Sequence, residues 1–172
     1  MTAPAPTTPA PISHTVVDSP LGPLTLVAEG SALVGLYLPE QSHVPAVSSF
    51  GPRDDTVLPS AREQLQAYWS GELTAFDVPL DVRGTPFQLA VWQAVREVPY
   101  GQTCSYADLA AAVGRPTAVR AVGAANGRNR ICLVIPCHRV VGAGGALTGY
   151  SGGVERKRYL LDLEARRATL FA

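Results

Sequence analysis

Three cysteines are all the thiols in this chain of 172 residues, and Cys104, Cys132 and Cys137 all fall in its C-terminal part. An odd number of cysteines, in a chain that opens without an export signal, argues against a disulfide framework and for reduced thiols in the cytoplasm. Metal ligands are as scarce. No CxxC pair or Cys/His cluster has zinc spacing, and the N-terminal half offers only His14 and His43, so no metal and no cofactor are expected. No apolar run approaches the roughly 18 residues that a membrane helix needs. The opening MTAPAPTTPAP lacks the basic start and long apolar stretch of an export signal, and residues 1–11 read as a disordered tail.

Net charge is also lacking, since the formal total is zero, but the distribution is uneven. Residues 101–172 hold ten basic side chains against four acidic ones, a surplus of +6, and the first hundred residues carry the compensating −6. A neutral protein polarised in this way can turn a basic face toward a polyanion while its other half is repelled.

What is present divides into two halves. HTVVDSPLGPLTLVAEGSALVGLYLP alternates apolar and turn residues as a three-stranded meander does, with Val16, Val17, Leu24, Leu26, Leu33, Val34 and Leu36 as core candidates. PSAREQLQAYWSGEL predicts a helix opened by Pro59 and Ser60, burying Leu65, Tyr68 and Trp69 and stopped by Gly71. TAFDVPLDV is a strand or an extended connection, and Arg83-Gly84 is the expected boundary between an N-terminal domain, 12–83, and a C-terminal one, 84–172.

Beyond that boundary the apolar period changes from two to about 3.6. TPFQLAVWQAVREVPYG predicts a helix capped by Thr85, with Phe87, Leu89, Ala90, Val91, Ala94, Val95 and Val98 as its apolar stripe. SYADLAAAVG, capped by Ser105, and RPTAVRAVGAANG predict two short helices joined by a turn, the form of a helix-turn-helix; antiparallel helix pairs that bind no DNA read the same. ICLVIP reads as a buried strand or extended segment, GALTGYSGG as a glycine-rich loop, and VERKRYLLDLEARR as a closing amphipathic helix. The fold class is α/β in the α+β sense: a small sheet domain with a helix, then a mainly helical domain.

IPCHRVVG places Cys137 between a proline and His138. The thiolate is the reactive form of cysteine, so a nucleophilic Cys137 needs a base or a cation beside it. His138 can be that base only if the chain turns after Pro136, because neighbours on an extended segment point apart. A buried structural cysteine beside a turn histidine fits the spacing equally well. The acids late in the chain that could orient His138 are Glu155, Asp162 and Glu164.

The stretch GRNRICLVIPCHRVVGAGGALTGYSGGVERKRYLLDLE resembles the active-site region of the O6-alkylguanine-DNA alkyltransferases, also called methylated-DNA–protein-cysteine methyltransferases. TPFQLAVWQAVREVPYGQTCSYADLAAAVGRPTAVRAVGAANGRN is similar to the helices that precede it in that family, and DSPLGPLTLVAEG extends the likeness toward the start. The resemblance implies that Cys137 accepts the alkyl group and that His138, through a bridging water, draws off its proton. Glu164 would hold the imidazole and Asn129 would brace the turn. Tyr106 would donate to the leaving base. Tyr150, Ser151 and Val140 would surround the base, with the carbonyls of Cys137 and Val140 accepting from its exocyclic amine.

The same resemblance implies double-stranded DNA containing O6-alkylguanine as the partner, bound through the minor groove and with little sequence preference. Arg120 would fill the space left by a flipped base, between small neighbours such as Ala118 and Val119, while Arg115 and Arg128 contact phosphates. It further implies O4-alkylthymine as a second substrate, one reaction per molecule, and a monomer in solution with cooperativity on DNA left open. Two features depart from the family pattern. Arg130 stands where a proline often follows the asparagine, adding charge toward the DNA side and loosening the turn. Cys132 lies on the pocket wall, as a second slower thiol or as a bystander. The rival functions are a DNA-binding module without an acceptor, a cysteine hydrolase and a transcription regulator. The first lacks the acceptor cysteine; the second needs an oxyanion hole; the third needs base-reading side chains that TAVRAVGAA barely supplies.

Overall fold

The computed structural model describes residues 10–169. The tail expected over residues 1–11 therefore lies outside the described residues except for Ala10 and Pro11.

Three antiparallel strands, β1 (Ile12–Val17), β2 (Leu24–Glu29) and β3 (Ala32–Tyr37), form a meander in the order β1-β2-β3. A bulge between Val27 and Ala28 shifts the β2–β3 register. Its consequence is visible on β3, where Leu33 and Leu36, three residues apart, both enter the main core with Leu24, Leu26 and Ala28 of β2, whereas Val27 and Tyr37 join Phe50 in a small cluster. Leu33 and Leu36 are buried as expected, while Val16, Val17 and Val34 are only partly covered.

Helix α1 (Pro59–Ser70) starts behind Leu58 in the left-handed region and ends at Gly71, whose φ of 78° is easy only for glycine. The connection 72–82 is extended rather than a named strand; it touches β3 through a single bridge from Leu80 to Leu33.

The capping residues read from the sequence are in place. Thr85 and Ser105 each close a capping box, with Gln88 and Asp108, on α2 (Pro86–Arg96) and α3 (Tyr106–Ala112). The apolar stripe of α2 is as expected at Val91, Val95 and Val98, which are buried, and at Phe87 and Ala94, which pack against the core, but not throughout. Leu89 and Ala90 face outward, and Trp92 is buried instead, its indole N–H donating to the Ala125 carbonyl at 2.9 Å. That bond joins α2 to α4 (Val119–Gly127), which follows α3 after a turn and completes the helix-turn-helix.

The ICLVIP segment is not a named strand: Ile131 bridges to Leu36 of β3, and the chain then turns. Leu133 sits at φ 71°, and the Ile135 N–H donates back to the Ile131 carbonyl, so an apolar run folds into a compact buried turn. A left-handed leucine carries backbone strain of about 1–3 kcal/mol, offset here by complete burial of the surrounding side chains. A further pairing was not foreseen: β4 (Cys104–Ser105) runs parallel to β5 (Val140–Val141). The chain closes with α5 (Val154–Ala168), packed against the short helical turn Cys137–Arg139.

Candidate active site

The turn that carries Cys137 is built around one asparagine. Asn129, 1% exposed, accepts from the Ile131 N–H at 2.9 Å and donates to the Ile135 carbonyl at 2.8 Å, so its amide spans the turn from both sides. Arg130 does not loosen this arrangement. Its carbonyl accepts from Leu36 on β3, and its side chain lines a separate hollow with Tyr37, Glu29 and Arg83, away from the cavity rimmed by Arg128.

Directly after Cys137, the helical turn swings His138 and Arg139 inward onto α5. Glu164, 0% exposed, receives five hydrogen bonds there. His138 Nε2 lies 2.8 Å from Oε1, Tyr68 donates its hydroxyl to the same oxygen at 2.7 Å, and Arg139 spans both oxygens at 2.9 and 3.0 Å. The Gly101 N–H completes the set at 3.1 Å from Oε2. These fill the carboxylate's accepting capacity. Burial alone would raise the Glu164 carboxyl, but the bonds and charges of His138 and then Arg139 outweigh it and hold it at about 2. An ionised Glu164 can only accept, so His138 carries its hydrogen on Nε2 and presents a lone pair at Nδ1, which has no protein partner. Burial lowers the His138 pKa below the ordinary histidine value, with the Glu164 interaction opposing it, so the imidazole is neutral at neutral pH.

Cys137 is 1% exposed, which by itself would suppress ionisation. The Cys132 thiol facing it, then Asn129, Tyr150 and the charge of Lys157, pull its pKa below the ordinary cysteine value despite that burial. The effect on Cys132 is opposite: facing Cys137, and then burial, push it well above the ordinary range. The two shifts run in opposite directions, down for Cys137 and up for Cys132, whose sulfur also lies 3.3 Å from Gln41 Oε1. Cys104 lies apart and half-exposed, its pKa raised by burial.

A cavity of about 620 Å³ opens beside this group, walled by Tyr106, Tyr150 and Ser151 and reaching Val119 and Arg128 on its rim. Two of its walls, Asn126 and Tyr150, are neighbours of Cys137. The Tyr106 hydroxyl makes long hydrogen bonds, 3.3 and 3.5 Å, to the carbonyls of Thr148 and Gly149 in the glycine-rich loop. Val140 is fully buried on β5 and is not among the cavity's walls. The Cys137 carbonyl already accepts from the Asn126 amide at 3.2 Å and from the Val140 N–H, so both its lone pairs are occupied.

On α4, Val119 and Arg120 are exposed and Ala118 is half-buried just before the helix. Arg115 and Arg128 are also exposed, at the turn before α4 and just after its end. The structure thus joins His138 to Glu164, sets Asn129 and Tyr150 against Cys137, puts Tyr106 and Ser151 on the cavity wall, and leaves Arg120 and Arg115 exposed on the helix pair.

Sequence reasoning missed the contribution of the N-terminal half. Tyr68 reaches Glu164 from α1, Gln41 braces Cys132 and the Asn129 carbonyl, and the Ser42 N–H holds the Ser151 carbonyl at 2.9 Å. Arg139 belongs to this group as the bidentate partner of Glu164. Among the described residues no cluster of three or more potential metal ligands occurs, and no helix is long and apolar enough to cross a membrane.

Fold and site together define a helix-turn-helix protein with a buried cysteine of lowered pKa, followed in sequence by a histidine paired with a buried glutamate. Residues 86–166 match the family model described as the DNA binding domain of 6-O-methylguanine DNA methyltransferase, and residues 12–82 match its ribonuclease-like domain. The chain is 52% identical over 157 residues to the methylated-DNA–protein-cysteine methyltransferase of Mycobacterium bovis, covering 91% of this chain and 94% of that one. It is 45% identical over 155 residues to the constitutive enzyme of the same name from Bacillus subtilis, covering 88% and 94%. The crystal structure of Mycobacterium tuberculosis OGT in complex with DNA superimposes with a TM-score of 0.86 at 50% identity, over 93% of this chain and 99% of that one. The chain belongs to the 6-O-methylguanine DNA methyltransferase family.

Proposed function

We propose that the protein repairs O6-alkylguanine in double-stranded DNA by moving the alkyl group onto Cys137, and O4-alkylthymine by the same chemistry. The observation that carries this reading is a cysteine held below its ordinary pKa, next in sequence to a neutral, Glu164-oriented histidine and directly behind the Asn126 and Tyr150 walls of a cavity large enough for a base.

His138 Nδ1 takes the thiol proton through a bridging water. The Cys137 thiolate then attacks the alkyl carbon from the side opposite O6; the S–C bond forms as the C–O6 bond breaks, and the electron pair goes to the guanine. Tyr106, released from the Thr148 and Gly149 carbonyls, donates to the departing base, which ends with the proton that the thiol gave up. The products are guanine and a thioether. A thioether offers no good leaving group, so each molecule reacts once.

A guanine O6 inside a duplex is out of reach of a buried thiol, so the base must leave the stack at a cost of a few kcal/mol. Arg120, exposed on α4 between small residues, suits the vacated space from the minor groove, and Arg115 and Arg128 suit phosphates. The carbonyls intended for the guanine amine need a change in the site: Asn126 must release that of Cys137, and Val140 is buried outside the cavity's walls. We assign residues 12–83 and 84–172 to two domains, and place the protein in the cytoplasm as a monomer that needs no cofactor.

The experiment is a titration of the protein against duplex DNA carrying isotopically labelled O6-methylguanine. One label per protein molecule, with guanine restored in the DNA, is the expected result. Many labels released per molecule, or excision of the base, would overturn it.

A further inference from the structure

Lys157 is the only lysine in the chain, whose other thirteen cations are arginines. It is also fully buried, on the first turn of α5, and its Nζ has no hydrogen-bond acceptor. The ammonium lies over two aromatic rings that wall the cavity, 5.8 Å from the centroid of Tyr106 and 6.0 Å from that of Tyr150. The other titratable groups that face it are Cys137 and His138, on the turn against which α5 packs. Among the described residues it joins no ion pair.

A desolvated cation without a counter-ion is costly, and a methionine of similar length would fill the same space without that cost. Ring faces compensate only in part. The remaining acidic group near it is the one that becomes anionic during the reaction. Arg139, the other buried cation of the site, cannot serve, because its guanidinium is committed to Glu164. Lys157, by contrast, keeps a free charge in a place where low dielectric makes that charge effective at the sulfur.

We propose that Lys157 is the electrostatic partner of the Cys137 thiolate, holding the sulfur anionic until transfer and then offsetting the charge that develops on the departing base. The charges and the geometry of the site agree with this assignment. Burial lowers the Lys157 pKa and a thiolate at Cys137 opposes that shift, while the Lys157 charge adds to the Cys132, Asn129 and Tyr150 contacts that lower the pKa of Cys137. The ammonium is a compact point charge on a flexible stem, and it sits over the Tyr106 and Tyr150 rings that wall the cavity. The proposal rests on the alkyl-transfer reading for its second half only; the thiolate pairing stands without DNA.

The test is the rate at which iodoacetamide modifies Cys137, read from the mass of its peptide, as a function of pH in the wild type, Lys157→Met and Lys157→Arg. Loss of the charge should move the midpoint up by about one unit and slow the reaction at pH 7 about tenfold. Lys157→Arg should keep more of the low midpoint than Lys157→Met. Lys157→Met should melt at the same temperature as the wild type or higher, a result that a purely structural lysine would not give, while alkyl transfer from an O6-methylguanine duplex falls at least tenfold. An unchanged midpoint in a folded Lys157→Met protein overturns the proposal. If the midpoint shifts but the wild type accepts no alkyl group from DNA, the pairing stands and the repair reading fails. Should Lys157→Met not fold, protein labelled with 15N-lysine gives a single side-chain signal. Replacing Cys137 by Ser should lower the pKa read from that signal, and an unaltered titration overturns the pairing.

Discussion

His138 and Glu164 are joined by one 2.8 Å hydrogen bond across 26 residues of sequence, and that bond decides which ring nitrogen is free. Because the carboxylate accepts at Nε2, the basic lone pair stands at Nδ1. Chemistry at Cys137 is thereby coupled to a network of which only the last member is the cysteine's own neighbour in sequence.

Glu164→Gln should be the most damaging conservative change in that network. It leaves Arg139 buried without its counter-charge, at a cost of about 3–5 kcal/mol, and removes the charge that stabilises a protonated His138. Alkyl transfer measured by single-turnover kinetics should fall on the order of 100-fold. A variant with wild-type melting and rate would show that the carboxylate merely fills space.

The same network sets the acid limit of stability. The Glu164 carboxyl is at about 2 in the fold, against 4.5 ordinarily, so the unfolded chain binds the extra proton and stability falls as pH drops from 4.5 toward 2. His138 is also lowered, so it too favours unfolding as pH falls below 6.5, and both effects have the same sign. Thermal melting should therefore be flat above pH 6.5 with respect to these two groups and decline below it. A melting temperature that rises on acidification from pH 6.5 to 4 would contradict this.

Tyr68→Phe tests the reach of the N-terminal half. The lost donor to a buried carboxylate should cost about 1.5–3 kcal/mol, seen as a lower urea midpoint, with a smaller effect on transfer rate than Glu164→Gln. Identical urea midpoints would mean that the 2.7 Å contact contributes nothing.

Gly152 is a steric prediction. A Cβ there would collide with Leu38 Cδ1 and meet Tyr150 Cε1 at 2.9 Å, so Gly152→Ala should displace the loop that bears Tyr150 and Ser151. Transfer from duplex DNA should slow with little change in melting temperature. Wild-type transfer kinetics would show that the loop accommodates the methyl group.

Arg120→Ala should separate flipping from chemistry. Repair of a duplex should slow more than reaction with benzylated guanine as the free base, and equal losses in both assays would remove Arg120 from the flipping role.

Much of the frame was readable because its signals are local. Thr85 and Ser105 announce their helices through caps three residues from their partners, and Gly71 marks a helix end by its left-handed backbone. Other features carry no local mark. Two-residue strands such as β4 and β5 are too short for any periodicity, and ICLVIP is apolar throughout, so a buried turn reads as a strand. Trp92 extends the buried face of Val91 and Val95 toward Ala125, and a stripe drawn through Leu89 and Ala90 instead passes it over. In the site, Cys137 and His138 announce themselves by adjacency, and the resemblance points to Glu164 and Asn129. Tyr68 and Gln41 act across 96 and 91 residues, through single hydrogen bonds that only the folded chain creates. The place of Arg139 in the motif becomes intelligible only once Glu164 is seen beside it.

The central claim is that Cys137 is the acceptor. The protein should be mixed with a duplex containing labelled O6-methylguanine, digested, and each cysteine peptide weighed. One added methyl group on Cys137, with Cys104 and Cys132 unmodified, is the predicted result. Label on Cys104 or Cys132 with Cys137 unchanged would contradict it.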